Sequence, residues 1–155
     1  MFEESPDGFI SRWRSHAAFV QIFSRTEGLP LLELEAGGAI FQVLERTGPY
    51  LAPPGNAKAI INATVDSVEI HTGGRKFVEA ASIGHMRGCG IVTLREDPFL
   101  VLDVGVPLVV GFQGRVAAEV MPGVWVSFEA LPPIHGFVLH EPRSTVPRGP
   151  EGEAP

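Results

Sequence analysis

The sequence predicts an α+β fold in which one N-terminal amphipathic helix packs on an antiparallel sheet, either open or closed like a barrel. Three observations support this prediction. Apolar residues near the N-terminus recur at the three- and four-residue spacing of a helix. Short apolar segments separated by Gly and Pro fill residues 59–140, with no helical pattern between them to connect parallel strands. Several of these segments are apolar at consecutive positions, which is typical of strands buried on both faces.

The helix is expected to begin near Ser5-Pro6, because Ser caps helices and Pro suits the first helical position. It is expected to end at residues 28–30, where the sequence is Gly-Leu-Pro. Its apolar stripe consists of Phe9, Trp13, Ala17, Val20 and Phe23. A second, weaker helical pattern covers residues 38–47, and residues 32–35 alternate like a short strand.

The rest of the chain is predicted to be β-structure. Residues 48–57 contain three prolines and two glycines, so we expect a loop there. Residues 59–71 and 75–83 are expected to pair as a hairpin around Gly73-Gly74, which can adopt positive φ. Further strands are predicted at residues 91–95, 99–103, 108–112, 115–121, 124–130 and 136–140. The continuous apolar runs at 99–102 and 108–110 predict central strands buried on both faces.

Length and composition predict one domain, since 155 residues are enough for a single core. Residues 1–141 are expected to form this domain. Residues 142–155 contain four prolines and almost no large apolar side chain, so burial there cannot offset the entropy lost on ordering. We therefore expect residues 142–155 to be a flexible tail.

Composition also limits the partners and the compartment. The net charge of −6 disfavours nucleic-acid and anionic-membrane binding, which depend on Lys and Arg. Hydrophobic residues make up 45% and charged residues 19%, so the surface is expected to favour self-association. A single cysteine and an acidic N-terminus without a signal pattern favour a reducing cytoplasm. Ten Arg against two Lys, with abundant Ala, Gly, Pro and Val, are typical of a GC-rich bacterial genome.

Charge is unevenly distributed along the chain. Residues 58–95 hold five basic and three acidic groups, whereas residues 96–155 hold three basic and eight acidic groups. Faces of opposite sign would favour pairing between subunits. The alternative use of the basic groups is nucleic-acid binding by an accessory protein, for which the candidate residues are Arg75, Lys76, Arg87, Arg12 and Arg14.

One cluster has the residue types of a metal site or a hydrolase. His71, His85 and Cys89 are its members, but zinc requires four ligands, or three with water, and the sequence contains no second Cys. Cys89 as a nucleophile would need a base and a carboxylate such as Asp103. Asp103 itself lies in an apolar strand and requires a partner, either an Arg or backbone donors. A buried structural cysteine and a structural Asp103 pair are the simpler interpretation.

The hypothesis that the sequence favours is therefore a non-catalytic binding module that forms homo-oligomers and uses no cofactor, metal or membrane. Nucleic-acid binding through the basic hairpin is the alternative, although the net charge disfavours it. A small hydrolase or metal enzyme built on Cys89, His71 and His85 ranks third, because its set of ligands or catalytic groups is incomplete.

Overall fold

The computed structural model describes residues 5–23, 31–46, 53–82 and 85–139. The predicted tail at residues 142–155 lies outside them, as does most of the linking sequence before residue 53. The elements are helix α1 Pro6–Trp13 with a 3₁₀ turn at Arg14–His16, and strands β1 Ala18–Ile22, β2 Leu32–Ala36, β3 Ala39–Glu45, β4 Gly55–His71, β5 Phe77–Ser82, β6 His85–Glu96, β7 Phe99–Asp103, β8 Pro107–Phe112 and β9 Trp125–Leu139.

Helix α1 begins where predicted and ends much earlier. The Ser5 hydroxyl accepts a hydrogen bond from the Gly8 amide at 3.1 Å, and Pro6 occupies the first turn. The helix ends at Trp13, and residues 18–22, which were predicted to be helical, form β1 instead. The prediction of a long amphipathic helix was wrong because these residues alternate between buried and exposed and pair with strands on both sides.

The second helical pattern was also wrong, because residues 39–45 form β3. β2 and β3 are a hairpin in which Ala36 pairs with Ala39. The turn between them is Gly37-Gly38, with φ of 60° and 87°, and glycine adopts such positive φ values without steric cost. The turn therefore directs the chain back as strand β3, although the spacing of the apolar residues in β3 also suited a helix. The strand predicted at residues 32–35 is confirmed as β2.

The predicted pairing of residues 59–71 with residues 75–83 does not occur. β4 pairs with β9, whereas β5 pairs with β6, so two strands separate them in the sheet. Gly73 and Gly74 do adopt positive φ, at 120° and 144°, but the segment crosses the sheet instead of closing a tight hairpin. A strand pattern predicts that a strand forms, and it does not identify the partner.

The nine strands form one mixed sheet whose pairing closes into two rings. The first ring is β1, β2, β3, β9 and β4, and the second is β4, β8, β7, β6 and β9. β4 and β9 belong to both rings. The predicted all-antiparallel sheet is corrected, because β3 runs parallel to β9 and β4 runs parallel to β8. The predicted closure thus takes the form of two rings of paired strands that share one long ribbon.

The two halves of the chain have the same strand topology. Strands β1 to β4 form a three-stranded meander followed by a long strand, and strands β6 to β9 do the same. β1 is antiparallel to β4 as β6 is to β9, while β3 is parallel to β9 as β8 is to β4. The topology therefore has an approximate two-fold symmetry that exchanges β4 with β9.

The core has an inner part and an outer part. Leu100, Leu102 and Leu108 belong to the large cluster inside the rings. Val101 and Val109 point the opposite way and are covered by α1, with exposures of 1% and 0%. The prediction that β7 and β8 are buried on both faces is therefore confirmed.

Helix α1 seals the outer cluster through its aromatic side chains. The rings of Phe9 and Phe137 stack with centroids 4.5 Å apart, and Trp13 lies 5.3 Å from the Phe99 ring. Such contacts add to the burial of area by about 0.5–1.5 kcal/mol for an aromatic pair. Within the described residues no helix has the length and apolar character needed to cross a membrane.

Three predicted strands near the C-terminal end differ from the structure. Residues 115–121 are not a strand, because the Arg95 guanidinium donates to the carbonyls of Val116, Ala117 and Val120 at 2.7–3.1 Å and holds them as a loop. The segments at 124–130 and 136–140 belong to one strand, β9, which ends at Leu139 in the described residues. Pro132-Pro133 lies where β9 exchanges its neighbour β6 for β3, a position that needs no amide donor.

Candidate functional site

Three of the five basic residues proposed for nucleic-acid binding form ion pairs with carboxylates. Arg12 lies 3.5 Å from Glu96, Lys76 lies 2.8 Å from Asp103, and Arg87 lies 2.6 Å from Glu79. The guanidinium of Arg75 lies 5.6 Å from the centre of the Phe77 ring, and Arg14 is exposed in the 3₁₀ turn.

The same five residues do not form one surface. Arg12 contacts Glu96 at one end of β6, and Arg87 lies near the other end of that strand. A separation of nine strand residues corresponds to roughly 30 Å. A continuous basic track of the kind that binds nucleic-acid phosphates is therefore not assembled from them.

The structure does not bring the three residues of the metal or hydrolase hypothesis together. Cys89 is buried on β6, whereas His71 lies on β4, and β9 separates the two strands by roughly 10 Å. His85 Nε2 lies 3.4 Å from the Glu129 carboxylate, and Cys89 faces Phe77 and Ser127 across the strands. Among the described residues, no three His, Cys, Asp or Glu side chains are placed to hold a metal ion.

Asp103, considered as an orienting carboxylate for Cys89, is paired elsewhere. Its carboxylate accepts hydrogen bonds from Lys76 Nζ at 2.8 Å and from the Gly105 amide at 3.0 Å. The Lys76 hydrogen bond holds the pKa of Asp103 below its usual range, with burial opposing and the Gly105 amide assisting. The expected need for a partner was correct, and the partner is a lysine together with a backbone amide.

A groove of about 670 Å³ lies on the outer face of β4, β9, β6 and β5. Its lining side chains and backbone come from Asp66, Ser67, Val68, Glu69, Phe77, His85, Arg87, Gly88, Ser127, Phe128, Glu129 and Leu131. The volume is within the range of about 300–1,000 Å³ that is common for ligand sites. Sequence analysis proposed Arg87 and His85 and missed the other polar groups.

Strand register places the polar groups of the groove in rows. Glu69, Ser127, Cys89 and Phe77 form one row across four strands, and Glu129, Arg87 and Glu79 form the next. Directly opposed residues share a face of the sheet, so these side chains lie on the outer face together, where Cys89 is only 4% exposed. The alternation of polar and apolar residues in 127–131 and 85–89 was the available signal, but it became informative only with the register known.

The outer face of the paired strands β4 and β9 differs between the part that belongs to the first ring and the part that belongs to the second. The approximate two-fold symmetry exchanges the part of the β4 and β9 strand pair that belongs to the first ring with the part that belongs to the second ring. The first part carries Ile60, Phe137 and Leu139, all buried beneath α1. The second part carries Glu69 and Glu129 at its outer face, and no described residue covers them. The outer face of the first part is thus apolar and covered by the chain's own helix, whereas the outer face of the second part is polar and exposed to solvent.

Comparisons with known proteins do not identify a relative, since no family model, no curated protein and no solved structure matches the chain. A function must therefore be argued from the geometry. The open groove and the free edge of the strand beside it are the features that bear on function.

Proposed function

We propose that this chain is a non-catalytic, self-associating binding module whose ligand surface is the polar groove of β4, β9, β6 and β5. The observation that carries the proposal is the contrast between the outer faces of the two parts of the β4 and β9 pair. Burial under α1 explains the apolar residues of one face. The other face is concave and presents charged residues to solvent.

The charges of the groove favour a cationic ligand. Asp66, Glu69 and Glu129 supply three carboxylates, while the guanidinium of Arg87 is paired with Glu79. Phe77 and Leu131 add apolar surface at the sides, and Leu131 is 42% exposed. Carboxylates beside apolar side chains suit lysine, whose charged end and methylene stem need both kinds of contact. We therefore propose a basic peptide segment as the ligand.

Binding without catalysis is supported by how the reactive residues are placed. Cys89 is buried in the sheet, and the two candidate histidines lie apart from it on β4 and at the start of β6. A cysteine nucleophile requires a base within hydrogen-bonding reach. His85 in the groove has its Nε2 3.4 Å from the Glu129 carboxylate.

Titration with a fluorescent hexalysine peptide tests the ligand class. We expect saturable binding that weakens with added salt, because the attraction between exposed charges is screened. Replacing both Glu69→Gln and Glu129→Gln should reduce the affinity about fivefold, since each exposed charge pair contributes roughly 0.5 kcal/mol.

Glu33→Gln combined with Glu119→Gln is the matched control, because it removes the same two charges at exposed positions outside the groove. An affinity that falls equally in the control would mean that net charge, and not the groove, binds the peptide. Absence of binding to hexalysine would refute the ligand class. Binding of a single-stranded oligothymidine that is lost on Arg12→Ala and Arg14→Ala would favour the nucleic-acid alternative instead.

A further inference from the structure

We infer that two copies of the chain pair antiparallel through the outer edges of β5, so that their grooves join into one surface. The inference rests on the proposed function, for which it names the surface of self-association. It follows from three features of β5: a free hydrogen-bonding edge, compensated charges, and a position beside the groove.

β5 has an unpaired edge. In the part of the chain that the structure describes, every other strand hydrogen-bonds to neighbours on two sides, and β5 pairs with β6 alone. β3 approaches β5 without forming a ladder. The free N–H and C=O groups of an edge strand are a template on which another strand can add.

The edge lacks the features that usually prevent strand addition. Its sequence from residue 77 to residue 82 is Phe-Val-Glu-Ala-Ala-Ser, without proline or lysine. The single charge, on Glu79, is paired with Arg87 at 2.6 Å, and the flanking Lys76 is paired with Asp103. Two copies can therefore approach along this edge without opposed uncompensated charges, in spite of the net charge of −6.

A second copy of the chain is the partner that would leave neither β5 edge unpaired. Antiparallel pairing of identical strands about a two-fold axis uses both β5 edges and closes the assembly as a dimer. A two-fold axis perpendicular to the sheet keeps the outer faces of both copies on the same side. Phe77 lies on β5 and lines the groove, so the two grooves become neighbours across the new strand pair. Each copy then extends the binding surface of the other.

Sedimentation velocity over a wide concentration range tests the surface. We expect a monomer–dimer equilibrium for the wild-type chain. Ala80→Lys places a lysine at an exposed position of β5 and should give a monomer. Its melting temperature should equal that of the wild type at dilutions where the wild type is also monomeric, because dimerisation itself raises the melting temperature. Gln21→Lys is the matched control, because Gln21 is exposed on β1 and is paired there on both sides, with Glu35 and with Asn56, and this variant should still dimerise.

Hydrogen exchange followed by mass spectrometry gives a second measurement. Amides of the peptide that contains β5 should gain protection as the wild-type concentration rises, and those of Ala80→Lys should not. A wild-type monomer at every concentration, a dimer that survives Ala80→Lys, or dissociation by Gln21→Lys would each overturn the inference. Hexalysine binding is measured separately, so its persistence in any of these cases would leave the groove proposal standing.

Joined grooves predict a dependence on ligand length. A dodecalysine peptide should bind the wild-type dimer about tenfold more tightly than hexalysine, because its second half binds at high effective concentration. In Ala80→Lys this ratio should fall to about twofold, the statistical value for a longer chain. An equal ratio in the two proteins would show that the grooves do not act together.

Discussion

Single residues of this chain are fixed by partners that lie far away in the sequence. Asp103 ends an apolar strand, and its carboxylate is stabilised by Lys76 and by the Gly105 amide. Cys89 lies between Gly88 and Gly90 in β6, opposite Phe77 and Ser127. Both residues were candidates for chemistry, and both have structural surroundings in the fold.

The first prediction concerns acid stability. The pKa of Asp103 is lowered in the folded protein, so its contribution is fully present above the unfolded value of about 4 and is lost as the pH falls through the folded value. Lys76→Met should lower the melting temperature by about 2 °C near pH 6, since the pair is partly exposed. Thermal melts should show this difference vanishing towards pH 2.

The control for that experiment is Asp103→Asn, which removes the carboxylate. Lys76→Met should have little further effect in the Asp103→Asn background if the two side chains act through each other. A difference between wild type and Lys76→Met that is the same at every pH would contradict the assignment.

A second prediction concerns Cys89, which is 4% exposed. Cys89→Ala should cost on the order of 1–2 kcal/mol of unfolding free energy and leave peptide binding intact, because it removes a small buried group. Thiol titration of the native wild type should be slow and should track global unfolding. Rapid labelling below pH 7, or labelling that appears only with a chelator, would instead indicate a nucleophile or a metal ligand.

At the scale of elements, the strands acquire their roles from their neighbours. β4 and β9 are long enough to take different partners along their length. Their mutual register shifts between Asn62 and Thr64 and again between Val65 and Val68, and the first shift lies where β9 exchanges β6 for β3. β7 and β8 lie between the ring interior and α1, so their central residues are buried on both faces. Helix α1 contributes to stability chiefly by covering Val101 and Val109.

A third prediction tests that covering. Val109→Asp should unfold the protein or cost several kcal/mol, because it places an unpaired carboxylate at a position that is 0% exposed. Circular dichroism and thermal unfolding measure the loss. Gln42→Asp, at an exposed position of β3, is the control and should fold normally. Cooperative unfolding of Val109→Asp at the wild-type temperature would mean that α1 does not seal this face.

At the scale of the whole molecule, the rings cannot be separated without breaking β4 and β9. The inner cluster is continuous through both rings and includes Phe41 from the first ring and Leu102 from the second. Because both rings share β4, β9 and the inner cluster, the two halves should unfold together as one unit, although they have the same topology.

A fourth prediction follows from this coupling. Phe41→Ala and Leu102→Ala should each lower the midpoint of the same single transition, at a cost of about 2–5 kcal/mol for a large buried side chain. Calorimetry should give equal calorimetric and van't Hoff enthalpies for both variants. Two resolved transitions in either variant would show that the rings unfold independently.

The sequence by itself determined the features that depend on neighbouring residues. The Ser5 cap, the Gly73-Gly74 conformation and the double-sided burial of β7 and β8 follow from local chemistry or from consecutive apolar residues. The need of Asp103 for a partner was evident for the same reason. These predictions succeed because their physical cause lies within a few residues along the chain.

Only the tertiary structure decided which strands pair and what their pairing assembles. Residues 18–22 and 39–45 have apolar spacings that suit a helix, yet they become strands because partners on both sides satisfy their backbone groups. The groove likewise depends on Glu69 and Glu129 reaching the same face from distant strands. Alternation along a strand sets which side chains share a face, but the hydrogen bonds that choose the neighbour are formed by backbone groups common to every residue.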